Sequence, residues 1–323
     1  MTYNEFLLGK RTRLSWVDET SFGVGGNMAA NGEVVGLNAV IEPDFNQNWQ
    51  EILSDGQDGR TILKKELGPL DLPFTLTFTP VDYKFLRYLG YDFNNVEIGE
   101  TGIFNHTGSL QNSIQSFKLE WAIFHNTPVV INLSGATVMS GTINFAKATG
   151  EGEGMITVTL NCYAKSYGIG DSVTALAKGN ITRSPLHFRN VKITQNDLEV
   201  VEVNNGEITI DQDIDPNDSR YCNATLDREV GEFIPKVHRI TGRYNFNLKD
   251  NTFFNQWASG DVIPDCKLEF IKEANDELSL TLNGFRIGQG IPPIALEGVM
   301  NTDVVWQCNK FDPIIAKDNL NNY

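Results

Sequence analysis

Around Phe117-Lys118-Leu119-Glu120-Trp121 apolar and polar residues alternate, and the pattern returns 149 positions later at Cys266-Lys267-Leu268-Glu269-Phe270. The offset continues without a gap, so that Val129, Ile131, Leu133 and Gly135 fall on Leu278, Leu280, Leu282 and Gly284. Alternation with a period of two marks a half-buried strand. The match therefore spans two strands and the turn between them. A register kept over that distance predicts a duplicated β domain.

The repeat extends outward. Leu72, Phe74, Leu76 and Phe78 alternate with Pro73, Thr75 and Thr77, as Tyr244, Phe246 and Leu248 alternate with Asn245 and Asn247, now at an offset of 168. A short helix is expected after each strand. In the first, Thr79 can cap, Pro80 suits the opening position and Asp82 the first turn. Val81, Phe85, Leu86 and Leu89 then share a face, and Gly90 marks the stop. The counterpart runs from Asp250 through Phe253, Phe254 and Trp257 to Gly260. The change of offset gives the first copy a connection 19 residues longer before the Lys118 strand. Upstream, Gly32 through Pro43 is matched to Gly206 through Pro216. Downstream, Ile156, Val158, Leu160 and Cys162 are matched to Val304, Trp306 and Cys308.

These readings predict a mainly β chain of two tandem related β-sandwich or barrel domains, each with one short α-helix, rather than a parallel α/β sheet. The first would cover residues 1–170, with an N-terminal segment and a long polar loop, Asp44 to Lys65, that has no counterpart of similar length. The second would cover 184–323, ending in an extended arm from about residue 312. The join falls between Gly168 and Ser184, where periodicity fades.

Composition removes several functional classes. Asp and Glu outnumber Lys and Arg by 41 to 26, which disfavours tight binding to duplex DNA or to an anionic membrane. No run approaches the ~20 apolar residues of a bilayer span, and the N-terminus does not read as a secretion signal. Cys162, Cys222, Cys266 and Cys308 lack paired spacing and read as small buried hydrophobes, Cys162 and Cys308 at matching places in the two copies. His106, His125, His187 and His238 are scattered, with no second ligand at zinc spacing.

The chemistry-bearing patterns resolve to structure. Gly23-Val24-Gly25-Gly26 lacks the Lys-Ser/Thr ending of a phosphate loop. Gly150-Glu151-Gly152-Glu153-Gly154 carries acids that would repel phosphate, and Gly288-Gln289-Gly290 precedes Ile291-Pro292-Pro293; all three read as turns or loops. Asp211, Asp213, Asp215 and Asp218 suggest a cation site, but Pro216 stands where a calcium loop needs glycine and Cys222 where it needs glutamate. Acids on the wet face of a strand are the simpler account. No serine or cysteine has a nucleophile's context, and no carboxylates pair. Catalytic, cofactor-binding and metal-ligating residues are all expected to be absent.

The segment Trp16-Val17-Asp18-Glu19-Thr20-Ser21-Phe22-Gly23 is similar to the Glu-Ser/Thr-x-Tyr/Phe-Gly stretch near the start of tail tube proteins of tailed viruses. The alternating strand leading into an amphipathic helix (Leu72 to Gly90), the Lys118-Leu119-Glu120 strand with its Gly135 hairpin, and Ser184-Pro185-Leu186-His187-Phe188 resemble further elements of that family. The resemblance covers the whole chain. It implies a non-enzymatic virion protein whose rings stack into a hollow tail tube for DNA ejection, in company with a tape measure, a terminator and baseplate or tip proteins. Passing DNA would not be bound specifically, and the protein would occupy the virion tail, and the host cytoplasm during assembly. A single-domain subunit of the family closes as a six-membered ring, so a duplicated one is expected to close as a trimer of pseudo-sixfold symmetry. The 44–65 loop would then reach the next ring. A carbohydrate-binding or adhesin-like double β-sandwich, and the tube of a phage-derived injection or secretion machine, are the competing expectations.

Overall fold

The computed structural model describes residues 12–53, 62–124, 127–147, 154–177, 183–196, 198–200, 203–220, 229–247, 252–289 and 301–320. The first half carries β1 Thr12–Asp18, β2 Glu33–Val34, β3 Leu37–Pro43, β4 Trp49–Leu53, β5 Ile62–Leu67 and β6 Pro73–Thr79. It continues with β7 Tyr91–Glu97, β8 Phe104–Leu110, β9 Phe117–Ile123, β10 Val129–Ala146, β11 Thr157–Tyr163 and β12 Ser166–Gly170. The second half opens with β13 Val191–Gln195, β14 Leu198–Glu199, β15 Val203–Asp211 and β16 Arg239–Asn247. It closes with β17 Lys267–Glu273, β18 Asp276–Asn283, β19 Arg286–Gln289, β20 Asn301–Cys308 and β21 Lys310–Asp318. Two α-helices are short, α1 Met28–Asn31 and α2 Thr252–Ser259, and a 3-10 helix covers Lys84–Leu89.

The strands build two layers. One layer is a continuous path, β3-β6-β11-β10-β15-β16-β20-β19. Its first four strands and its last four succeed one another in the same spatial order, and the antiparallel pair β10·β15 joins the halves. The other layer holds β2-β1-β9-β10-β12 in the first half and β14-β13-β17-β18-β21 in the second, extended by β8 and β7. The 18 residues of β10 serve both layers. Val130–Ser134 pairs with β12, and Ser140–Ala146 with β15. The strand turns the corner at Gly135, whose φ of 62° belongs to the left-handed region that favours glycine. Between the layers the inward parity of each strand meets in one core that runs through both halves. Phe74, Leu76, Phe78, Phe145, Ile208, Ile210, Tyr244 and Trp306 all belong to it.

When the two four-strand sets are laid over one another in their shared order, cross-strand register decides which of their residues align. Gly135 and Gly284, 149 apart, both have left-handed φ, and the bulge at Met139 in β10·β11 recurs at Gly288 in β19·β20, again 149 apart. Phe74 opposes Cys162 and Gly242 opposes Trp306; with β6 and β16 offset by 168, Cys162 corresponds to Trp306. Val138 opposes Cys162 and Ile287 opposes Trp306, and the offset of 149 gives the same answer. Cys162 therefore does not correspond to Cys308, as the sequence match had it. In the same way Ile41 opposes Leu76 and Gly206 opposes Tyr244, which matches Ile41 to Gly206 rather than to Ile214. The gapless match at Leu119 and Leu268 also slips: Leu119 faces Leu133, whereas Leu268 faces Leu280. Each slip downstream of the helix is two residues, and a shift of two leaves every side chain on its original face.

Other expectations change with the structure. The arm expected from residue 312 is β21, an interior strand between β18 and β8, with Phe311, Ile314, Ala316 and Asp318 buried. The long first-half connection is the β7–β8 hairpin, which crosses over to pair with β21. The first helix is a 3-10 turn beginning at Lys84, with Thr79 still in β6, although Gly90 ends it in the left-handed region as expected. The 44–65 loop does have a counterpart of similar length, since 44–72 joins β3 to β6 and 212–238 joins β15 to β16. The two fold differently: the first contains the β4–β5 hairpin, the second a 3-10 turn at Pro216–Ser219. Gly288 and Gln289 lie in β19 rather than in a loop. Residues 148–153, His125, Cys222 and Asp250, with the side chains of Phe253 and Phe254, lie outside the described residues.

Candidate functional site

The outward face of the eight-strand path is a broad and regular surface of the fold. One row crosses it from edge to edge. Val40 opposes Thr77, which opposes Thr159, then Thr142, Thr209, Thr241 and Gln307, and Arg286 closes the row. Threonine stands on five neighbouring strands because a β-branched residue suits the pleat while its hydroxyl faces water. Hydroxyls touch along the row, Thr77 with Thr159 at 3.3 Å and Thr142 with Thr209 at 3.4 Å. The next row repeats the theme: Thr75 donates to Asn161 at 3.2 Å, and Asn161 donates to Ser140 at 3.0 Å.

Charges enter this face mainly in the second half, and four of them lie in two pairs. Arg243 is 3.7 Å from Glu207 on the adjacent strand, and Arg239 is 4.0 Å from Asp211. Among the described residues of these eight strands no lysine points outward from this face. The surface is thus polar, hydroxyl- and amide-rich and close to neutral. A polyanion would find few places to hold it, because such binding needs cations facing successive phosphates.

At the β10·β15 seam, Gln212, next to the end of β15, is 2% exposed. Its side-chain amide donates to the carbonyls of Val138 at 2.7 Å and Tyr88 at 3.1 Å, and its backbone N–H donates to Met139 O at 3.0 Å. The described parts of the connection to β16, 212–220 and 229–238, then touch the first half. Phe233 meets Phe22 and Tyr163 edge-on, and Arg220 forms an ion pair with Asp71, which also accepts from the Tyr163 hydroxyl. Sequence reasoning missed this clasp, since nothing local marks Gln212 or Arg220.

A second joint holds β21 to the first half. His106 Nε2 lies 3.2 Å from Asp318 Oδ1, both fully buried, and Arg183 donates to Asp318 and to Asp276 at 3.0 Å each. Tyr83 donates to Asp276 at 3.2 Å, and burial together with that carboxylate pushes its hydroxyl far above the ordinary range. These groups are satisfied by one another and act as struts.

The Trp16–Gly23 segment is also structural. Trp16 packs among Phe78, Tyr88 and Phe117, and Asp18 accepts from Arg87 at 2.5 Å and Tyr88 at 2.8 Å. Glu19 is buried with its carboxylate turned onto Gly23, Ser116 and Gly135.

The aspartates do not converge. Asp211 ends β15, so only it stands on the strand; Asp211 and Asp213 reach Arg239, Asp218 pairs with Lys236, and Asp215 caps the N–H of Asn217. Among the described residues no group of three or more His, Cys, Asp or Glu side chains is placed to hold a metal ion. Cys162, Cys266 and Cys308 are free, buried thiols; burial pushes Cys162 well up, and Cys266 and Cys308 to about 12. Among the described residues no helix is long and apolar enough to cross a membrane. Finally, the β4–β5 hairpin presents Trp49 directly opposite Leu67, 59% and 48% exposed.

A family model described as phage tail tube protein matches residues 9–308. No curated protein matches the chain.

Proposed function

The chain belongs to the phage tail tube protein family and is a structural component of a virion tail, and from that premise we propose that three copies close into a ring whose bore is the threonine-rich face. The observation that carries this reading is the continuous eight-strand path, whose end strands β3 and β19 each have one edge that no other strand among the described residues pairs. An open edge is a template for another strand. Within the chain, the β10 edge of one half already meets the β15 edge of the other. The shared order of the two four-strand sets and the equivalent bulges support a tandem duplication, with the halves as successive sixths of one ring.

Three chains bring about 24 strands. At ~4.8 Å per strand they enclose a circle roughly 37 Å across before strand tilt widens it, well beyond the 16–18 strands that already leave a water-filled channel. A bore paved with hydroxyls and amides lets DNA pass without holding it. Among the described residues the face carries no stripe of exposed aromatics of the kind a sugar-binding sheet would offer. The role is structural rather than catalytic. Tape measure, terminator and tip proteins, and the ejected genome, are the partners such a conduit requires.

The β4–β5 hairpin is the ring-to-ring contact, because Trp49 and Leu67 form an apolar pair that the single chain leaves uncovered. Negative-stain microscopy of purified protein tests the reading. Hollow filaments with a threefold or pseudo-sixfold end view are expected, and monomers that never polymerise on concentration would overturn it.

A further inference from the structure

We propose that neighbouring copies meet in the same register that β10 and β15 use inside one chain, with Asn46 of one copy opposite Gln289 of the next. This rests on the ring reading above and specifies its joint. Inside the chain Ser140 opposes Asp211. The offset of 149 carries Ser140 to Gln289. Val40 opposes Thr77 and Asn205 opposes Asn245, so β3 and β15 differ by 165, and Asp211 corresponds to Asn46. The bridge Asn46↔Asp71 supports this independently, because Asp71 lies 168 before Arg239, the partner of Asp211.

Exposure points the same way. Ile210 is fully buried at the seam and Gln212 is 2% exposed, whereas their counterparts on the free edge are Phe45, 36% exposed, and Gln47, also exposed. The residues that the inner seam covers are uncovered on the outer edge. The dipeptide Asn46-Gln47 stands where Asp211-Gln212 stands, and Gln47 takes the role of Gln212. Its amide reaches the carbonyl of Ile287 on the next copy, the counterpart of Val138.

The seam between copies is also the weaker one. Asp44 donates inward to Pro73 O at 2.9 Å, so the adjacent Pro43 faces the neighbour and has no N–H to give. Its counterpart Ile208 carries one. Mild dissociation should therefore release whole chains.

The test is the double variant Asn46→Cys with Gln289→Cys in assembled protein, with wild type and both single variants oxidised in parallel. Directly opposed residues of an antiparallel pair lie ~4.5–5.5 Å apart, within disulfide reach. Within one chain the two positions are at opposite edges of the path, roughly 34 Å apart along the sheet, and cannot join. The expected product is a covalent species of three chains and none larger, absent from the controls. Rings or tubes without this cross-link overturn the register and leave the conduit standing. Wild-type protein that forms no ring overturns both. Should the double variant fail to fold, Gln47→Leu decides. It should cut the assembled fraction about tenfold, whereas unaltered assembly refutes the proposal. Gln212→Leu should instead destabilise the isolated chain.

Discussion

Glu19 Oε1 accepts the backbone N–H of Gly135 at 2.9 Å, joining the first loop of the chain to the corner of β10. Oε2 takes the N–H of Gly23 at 2.9 Å and the hydroxyl of Ser116 at 2.7 Å. Three loops are thus gathered on one buried carboxylate. Gly135 itself cannot be replaced cheaply, because its φ is left-handed and a Cβ there would come within 2.6 Å of Lys165 Cβ. Replacing Glu19 by Ala leaves two buried donors and one part-buried donor unmet, at a cost of about 3–5 kcal/mol. The melting temperature should fall by roughly 6–15 °C in a calorimetric scan. A fall of under about 2 °C would remove Glu19 from this role.

Gly242 opposes Trp306 directly, and a Cβ on Gly242 would collide with the indole, which is 1% exposed. Gly206 and Phe145 repeat the arrangement at the β10·β15 seam. Gly242→Val should cost about 2–3 kcal/mol by overpacking and shift Trp306 fluorescence. Thr241→Val, the next residue but on the outward face, should leave both stability and fluorescence nearly unchanged.

Burial lowers the pKa of His238 from its ordinary 6.5, against the smaller opposing effects of its contact with Leu89 O and of Asp211. The unfolded chain then binds the proton more readily than the folded one. The contribution of His238 is complete above pH 6.5 and is lost as pH falls through the lower, folded value. Thermal unfolding followed from about pH 7.5 down to 5.5 should show a steeper loss for the wild type than for His238→Gln. Parallel curves would exclude His238 as a contributor.

Thr209→Lys puts a cation in the middle of the hydroxyl row without touching the core face. If that row lines the bore, each ring gains three charges aimed at phosphate. Tubes should assemble normally while DNA release slows, with the delay relieved by added salt. Arg189→Lys, off this face, is the control. Normal release from the Thr209→Lys tube would place the row elsewhere.

Much of this architecture was legible in the alternation itself. Leu72 through Phe78 and Phe117 through Trp121 announce strands, and Gly90 announces a stop that the backbone bears out, whereas Gly135, read as a hairpin, is a left-handed corner inside β10. Register was not legible, because period-two alternation is blind to a slip of two residues. Leu119 and Leu133 face each other, whereas Leu268 skips Leu282 for Leu280. The fate of residues 310–318 was hidden for another reason. Lys310, Pro313, Lys317 and Asp318 look like a solvated tail, and the burial of Asp318 is compensated in good part by Arg183 and His106, from distant parts of the chain. The threonines of the polar face could be read one strand at a time, but their alignment into a row exists only once eight strands are in register.

The position of β21 has a consequence for biosynthesis. Its two flanking strands, β18 and β8, emerge from the ribosome earlier, so an elongating polypeptide must keep a strand-wide slot vacant until residue 318 has been made. The nascent subunit therefore exposes two unsatisfied borders that a neighbouring nascent subunit could fill wrongly, and polymerisation stays tied to completed synthesis. A stop codon shortly before Lys310 should yield insoluble protein rather than a shorter tube.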